Sequence, residues 1–207
     1  TTWVGANRSF APIMTGSVYL GWVMNATPGI NREADITVYD TGSTAKFIVG
    51  VPGDSTNAGV QRASDWASNE SHYEIKPGQD YTFIAKYDFD AHAVSLVAYA
   101  TNAAVPLEEP VTWLASMDLG VGFVTNLNRI ELNAGAWGGE VIGTVYWDEI
   151  RIATSWRELL NQENPMWDGQ GGDANWGTVS NWVGDVAPTS GVRVSFYEGI
   201  GSGTNIN

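Results

Sequence analysis

The sequence predicts an all-β, two-sheet antiparallel sandwich with a short helix and a β-rich tail behind it, and three observations predict it. Runs that alternate polar and apolar residues with period 2 dominate the chain, helical periodicity is confined to one short stretch, and aromatic residues are abundant.

Ser17–Met24 (SVYLGWVM) is long and β-rich enough for a central strand. Asp35–Tyr39 (DITVY) alternates, Lys46–Val51 (KFIVGV) is a compact apolar run, and Gly53–Asn57 reads as a turn. Asp80–Asp88 (DYTFIAKYD) and Ala93–Ala100 (AVSLVAYA) both alternate, and the interval Phe89–His92 suits a hairpin loop. Arg129–Asn133 and Gly143–Ile152 complete the set. In the last, strict alternation would put Val145, Trp147, Glu149 and Arg151 on one face and Tyr146, Asp148, Ile150 and Ile152 on the other. Ser155 is placed to cap a short helix, with Glu158 at its third position and Trp156, Leu159 and Leu160 on its apolar side; Asn164-Pro165 ends it.

Composition changes after Pro165. Glycines crowd residues 166–191, interspersed with Trp167, Trp176 and Trp182, which reads as a new turn-rich unit. The expected organisation is a sandwich over 1–160, a linker over 161–165 and the start of a second β module over 166–207, the whole reading as an excerpt of a longer protein.

The formal charge of −13 disfavours nucleic acid and anionic membrane, which demand clustered basic residues. No apolar run reaches the roughly 18–20 residues of a membrane helix. The absence of cysteine excludes disulfides, zinc thiolates and a thiol nucleophile. The chain has 10 Trp and 8 Tyr; most such residues fill sandwich layers, and a few are free to stack on sugars.

Two segments carry resemblances. Val145–Trp156 (VYWDEIRIATSW) resembles the closing strand of concanavalin A-like, laminin-G-like jelly-roll domains in large bacterial surface proteins, with the upstream strands agreeing in order. Trp167-Asp168-Gly169, Trp176, Asn181-Trp182 and Pro188 are similar to the opening of the autotransporter-associated β-strand repeat, a builder of β-helical stalks. These resemblances imply a jelly-roll sandwich displayed outside the cell or on its surface. Its partners would be a glycan or a surface protein, with self-association as a further possibility.

Some concanavalin A-like folds are glucanases, whose active strand carries alternating carboxylates. The nearest match is Glu33-Ala34-Asp35-Ile36-Thr37-Val38, and its third carboxylate is missing. A non-catalytic recognition module is therefore expected, with a structural or adhesive fibre unit and a glucanase-like enzyme as alternatives. Trp66 and Trp137, flanked by polar or small residues, are the candidate sugar-stacking aromatics. Laminin-G-like domains often hold one Ca²⁺, which makes Asp88 and Asp90 at i, i+2 the candidate ligands and the loop Asp168–Asp173 a second option. Asp148, Glu149 and Arg151 read as structural, with Glu149 and Arg151 able to pair. His72 and His92 show no metal or catalytic spacing and read as loop residues.

Overall fold

The computed structural model describes residues 3–26, 33–52, 56–135, 144–160, 166–167, 169–173, 175–182, 185, 187 and 195–196. The chain divides into two compact units, Thr1–Ser155 and Trp156–Asn207.

The first unit is a two-sheet antiparallel sandwich. Its strands are β1 (Trp3–Ile13), β2 (Ser17–Ala26), β3 (Glu33–Tyr39), β4 (Ala45–Val51), β5 (Asn57–Arg62), β6 (Ser68–Glu74), β7 (Asp80–Asp88), β8 (Ala93–Ala100), β9 (Ala115–Asp118), β10 (Leu127–Gly135) and β11 (Val145–Ala153). One sheet runs β1-β10-β3-β4-β5-β6 and the other β11-β2-β7-β8-β9. Alternation decides which side chains meet between the sheets. From one sheet come Ala34, Ile36, Val38, Phe47, Val49, Val60 and Ile130; from the other come Leu20, Trp22, Met24, Phe83, Tyr87 and Leu96. Trp22 stacks on its cross-strand neighbour Phe83 at 5.2 Å between centroids, and Phe47 stacks on Tyr87 of the facing sheet at 5.5 Å.

Four strands differ from the sequence expectation, each for a physical reason. β1 carries Pro12, and β5 (NAGVQR) starts inside the expected turn and holds Gly59. β6 (SNESHYE) is polar along most of its length and was expected as loop; His72 therefore sits exposed on a strand. β9 is only four residues long. All four depend on pairing with neighbours more than on their own propensity. His92 lies in the hairpin loop as expected, with φ 54°.

The strict alternation expected for β11 is also broken. Its pairing with β2 shifts register between Asp148 and Arg151, where Glu149 takes φ 53°. This bulge moves Ile152 to the core side, with Val145 and Trp147. Arg151 and Glu149 do pair, and Asp148 Oδ1 accepts the Glu149 N–H at 2.8 Å.

In the second unit, α1 (Trp156–Leu159) buries Trp156 and Leu159. Two short strands, β12 (Met166–Trp167) and β13 (Ser195–Phe196), pair in parallel. Asp173 organises the turns between them: it accepts the Asn175 N–H, the Thr178 hydroxyl and the Asn181 amide at 2.8–2.9 Å. The fully buried Asn181 accepts the Gly171 N–H in return at 2.8 Å. Trp182 packs edge-on against Trp176 and donates its Nε1–H to the Trp176 carbonyl. Among the described residues no helix is long and apolar enough to cross a membrane.

Phe83 is fully buried and its ring stacks on Trp22. Phe83→Ala should lower the unfolding free energy by about 3–5 kcal/mol, read as a lower denaturant midpoint at unchanged slope.

Candidate functional site

The two outward faces of the sandwich are unlike. On the five-stranded sheet, Ile84 and Val97 are buried although they point away from the core, so this face is covered. Glu109, in the 101–114 connection, is fastened onto it. It accepts the Tyr19 hydroxyl at 2.6 Å and pairs with Lys86 Nζ at 2.9 Å. Lys86 also lies 5.6 Å above the Tyr19 ring. Desolvation works against the Lys86 charge, but the Glu109 hydrogen bond and the surrounding charges outweigh it and push the pKa up to about 12.

The outward face of the six-stranded sheet is richer in polar groups, and along its centre Asp35, Thr37, Ile48 and Gln61 are buried as well. The β3–β10 register sets Asp35 opposite Asn133, Thr37 opposite Glu131 and Tyr39 opposite Arg129. Glu33 continues the β3 row, and Gln61 lies beyond Thr37 through Ile48. The Asn133 amide donates to Asp35 Oδ1 at 3.1 Å and to Thr37 Oγ1 at 2.8 Å, which joins the two strands by side chains as well as backbone. Glu131 hydrogen-bonds the Tyr39 hydroxyl, and the Arg129 guanidinium stacks 4.0 Å from the Tyr39 ring centroid. Burial and the Glu131 bond both raise the Tyr39 pKa.

Asp35 is the unusual group, being only 2% exposed on an outward face. Burial holds its carboxyl well above the usual range; the Asn133 hydrogen bond opposes this, and the charges of Glu33 and Glu131 reinforce it. Backbone closes in beside it. Gly50 has φ 133°, and a Cβ there would lie 2.8 Å from the Ala34 carbonyl and 3.3 Å from Asp35 Cβ, so only glycine fits. Across the register, Glu131 stands opposite Thr37, so a further carboxylate shares this face with Glu33 and Asp35. Strand register carries that juxtaposition, and a linear motif cannot reveal it. Of these carboxyls Asp35 is shielded from solvent, while Glu33 and Glu131 are half-buried.

Trp66 sits at the rim of this face, in the β5–β6 turn. It is 65% exposed and takes φ 58°, a left-handed conformation that is rare for a bulky residue. The turn is braced on all sides. Trp66 N–H donates to the Arg62 carbonyl at 3.0 Å, Arg62 pairs with Asp65 at 3.2 Å, and Gln61 Nε2 donates to the Trp66 carbonyl at 3.1 Å. Gln61 thereby ties the Trp66 loop to the polar face. Trp137 lies outside the described residues.

Asp88 and Asp90 occupy the β7–β8 hairpin, at the end of the sandwich. Asp88 Oδ1 accepts the N–H groups of Asp90 and Ala91 at 3.0 and 2.9 Å, while Oδ2 faces Lys86 Nζ and the Ser17 hydroxyl at 3.4 Å. Those backbone bonds, with Lys86, hold the Asp88 pKa below its usual value. Asp90 is exposed. No group of three or more acidic or histidine side chains suited to a metal occurs among the described residues. Asp88 is thus engaged by the turn, with an ammonium group beside it, and Asp90 is the solvent-facing carboxylate of the pair. Asp173 is likewise occupied by the turns of the second unit.

No protein-family model and no curated protein matches the chain. Among solved structures, a sialidase superposes with a TM-score of 0.54 at 10% identity, over 76% of this chain and 15% of the sialidase. The chain thus spans a small part of that protein's length. A heptameric SAP-like pentraxin from Limulus polyphemus (TM-score 0.46, 13% identity, 73% and 70% of the two chains) and the cellulose-induced protein Cip1 (0.48, 16%, 68% and 69%) are also similar. The sialidase likeness is one of fold.

The raised Asp35 pKa fixes the sign of a pH effect. A carboxyl whose folded pKa exceeds its unfolded value favours the fold most when protonated, so its contribution declines as pH rises from about 3.8 toward the folded value. Asp35→Asn keeps an acceptor for Asn133 and removes the titration. The variant should match the parent below about pH 3.8 and unfold at a higher midpoint than the parent at pH 7, as read by urea titrations across pH.

Proposed function

We propose that the sandwich is a non-catalytic, extracellular recognition module that binds a neutral carbohydrate on the outward face of its six-stranded sheet. The observation that carries this reading is the prearranged polar face, with an exposed and conformationally fixed Trp66 at its rim. Sugars offer vicinal hydroxyls and an apolar ring face. Half-buried Glu131 and Asn133 supply acceptor oxygens at spacings set by the sheet, the two Asn133 N–H groups being taken by Asp35 and Thr37, and Trp66 supplies a stacking plane. The one cation among the described residues in the β3 and β10 rows, Arg129, is outnumbered there by Glu33, Asp35 and Glu131, so the face suits a neutral sugar better than an anionic one. Superposition on a sialidase supports a setting in carbohydrate chemistry, although that name belongs to the other protein. Reading the module as non-catalytic rests on the shielding of Asp35.

A second reading, a structural unit of a surface stalk, draws on the parallel β12–β13 pair. Parallel stacking of short strands is how coiled β repeats build length. The two readings are compatible, with the sandwich displayed and the repeat bearing it. Calcium at Asp88 and Asp90 belongs to the proposal only as a test: millimolar Ca²⁺ should leave the melting temperature of the chain unchanged, and a rise reversed by chelator would show a site there.

A glycan array with the parent, Trp66→Ala and Glu131→Gln tests the main reading. Neutral glycans should bind the parent, and each substitution should weaken binding about tenfold, equivalent to about 1.4 kcal/mol. Binding that survives both substitutions, or that is restricted to anionic glycans, would sink it.

A further inference from the structure

Arg62 closes β5, and the β4–β5 register sets it opposite Phe47, in the row that Val60 sends into the core. A guanidinium is costly among apolar side chains, so it leaves through the end of the sandwich, where its side chain is 28% exposed. On the way it reaches both sheets. Its Nη2 donates at 2.9 Å to the carbonyl of Asp118, the last residue of β9 in the five-stranded sheet. Its Nη1 donates at 3.2 Å to Asp65 Oδ2, in the β5–β6 turn of the six-stranded sheet. Phe123, from the β9–β10 connection, lies against the guanidinium with its ring centroid 5.8 Å from Cζ.

The backbone of the same residue holds the turn from its other side. Arg62 N–H donates to the Ala67 carbonyl at 2.8 Å, and the Arg62 carbonyl accepts the Trp66 N–H at 3.0 Å. Asp65 Oδ1 accepts the Ala67 N–H at 3.2 Å. Trp66 thus stands between two neighbours that are both fastened to Arg62, and Arg62 is fastened to the opposite sheet. These contacts do little for stability. Asp65 is exposed, and an ion pair so open to solvent adds little to a fold whose β5 is already paired on both sides. What the guanidinium fixes is direction. Its planar fork serves two acceptors at once, which a lysine ammonium on a flexible stem does not reproduce.

We propose that Arg62 is a positioning residue of the recognition surface: its fork locks the Trp66 turn to the end of β9 and holds the indole at one angle to the polar face before any ligand arrives. The inference rests on the reading of Trp66 as a stacking residue. Arg62 acts through Trp66 and touches no sugar itself.

Two arms of one experiment separate the inference from that reading. The first needs no sugar. With 5-fluorotryptophan in the full chain, the ¹⁹F line of Trp66, assigned with Trp66→Phe, should be single and narrow. Arg62→Lys should shift or broaden it more than any other Trp line, with circular dichroism unchanged. Asp65→Asn, at an exposed position, should move it by less. The second arm uses cellohexaose, laminarihexaose and maltohexaose. For whichever of them the parent binds, Arg62→Lys should weaken binding about fivefold, the cost of ordering a side chain no longer held in place. In the Trp66→Ala background the same substitution should change nothing. A Trp66 line indifferent to both substitutions would overturn the proposal, and so would a further loss from Arg62→Lys in the Trp66→Ala background. A shifted line in a chain that binds none of the three sugars would uphold the brace and count against the recognition reading alone.

Discussion

The register between β3 and β10 is the constraint on which the rest of the sandwich depends. It sends Ala34, Ile36, Val38 and Ile130 into the core and Asp35, Thr37, Glu131 and Asn133 outward. A slip by one residue would exchange the two sets, burying carboxyls between the sheets and exposing the aliphatic row. Asn133 reinforces the correct register from the outer side by bonding both Asp35 and Thr37. The hydrophobic pattern and the polar cross-strand bridge thus specify the same alignment, and the candidate site is a by-product of how the core is fixed.

That same register sets the character of the two outer faces. The five-stranded sheet spends its outer face on internal packing, with Glu109 fastened to Tyr19 and Lys86. The six-stranded sheet sets polar groups in ordered rows, with Asp35, Thr37 and Gln61 buried and Glu33, Glu131 and Asn133 half-buried, and Trp66 lies in a turn with a left-handed backbone. A stacking residue fixed in advance loses little conformational freedom when a ligand arrives.

Much of the architecture was legible in the chain. β7 and β8 alternate cleanly because one of their faces lines the core, and the apolar runs of β2 and β4 belong to strands buried on both faces. β6 was hidden because an edge strand needs few apolar residues, and β5 because its small residues answer to close neighbours: a Cβ on Gly59 would lie 3.1 Å from the Asn69 carbonyl. The β11 bulge reversed an alternation that sequence alone presents as continuous. At the site, the polar context of Trp66 marked it as exposed. The partnership of Glu131 with Asp35 was invisible, because it exists only once two distant strands are aligned.

The central claim is that the β3–β10 outward face is where ligand binds. Backbone amide chemical-shift mapping on ¹⁵N-labelled chain, titrated with neutral oligosaccharides, addresses it most directly. The account predicts saturable shifts concentrated at Thr37, Tyr39, Glu131, Asn133 and the Trp66 turn, with the Tyr19–Lys86 face unmoved. Shifts concentrated on the five-stranded sheet or in the second unit would contradict it.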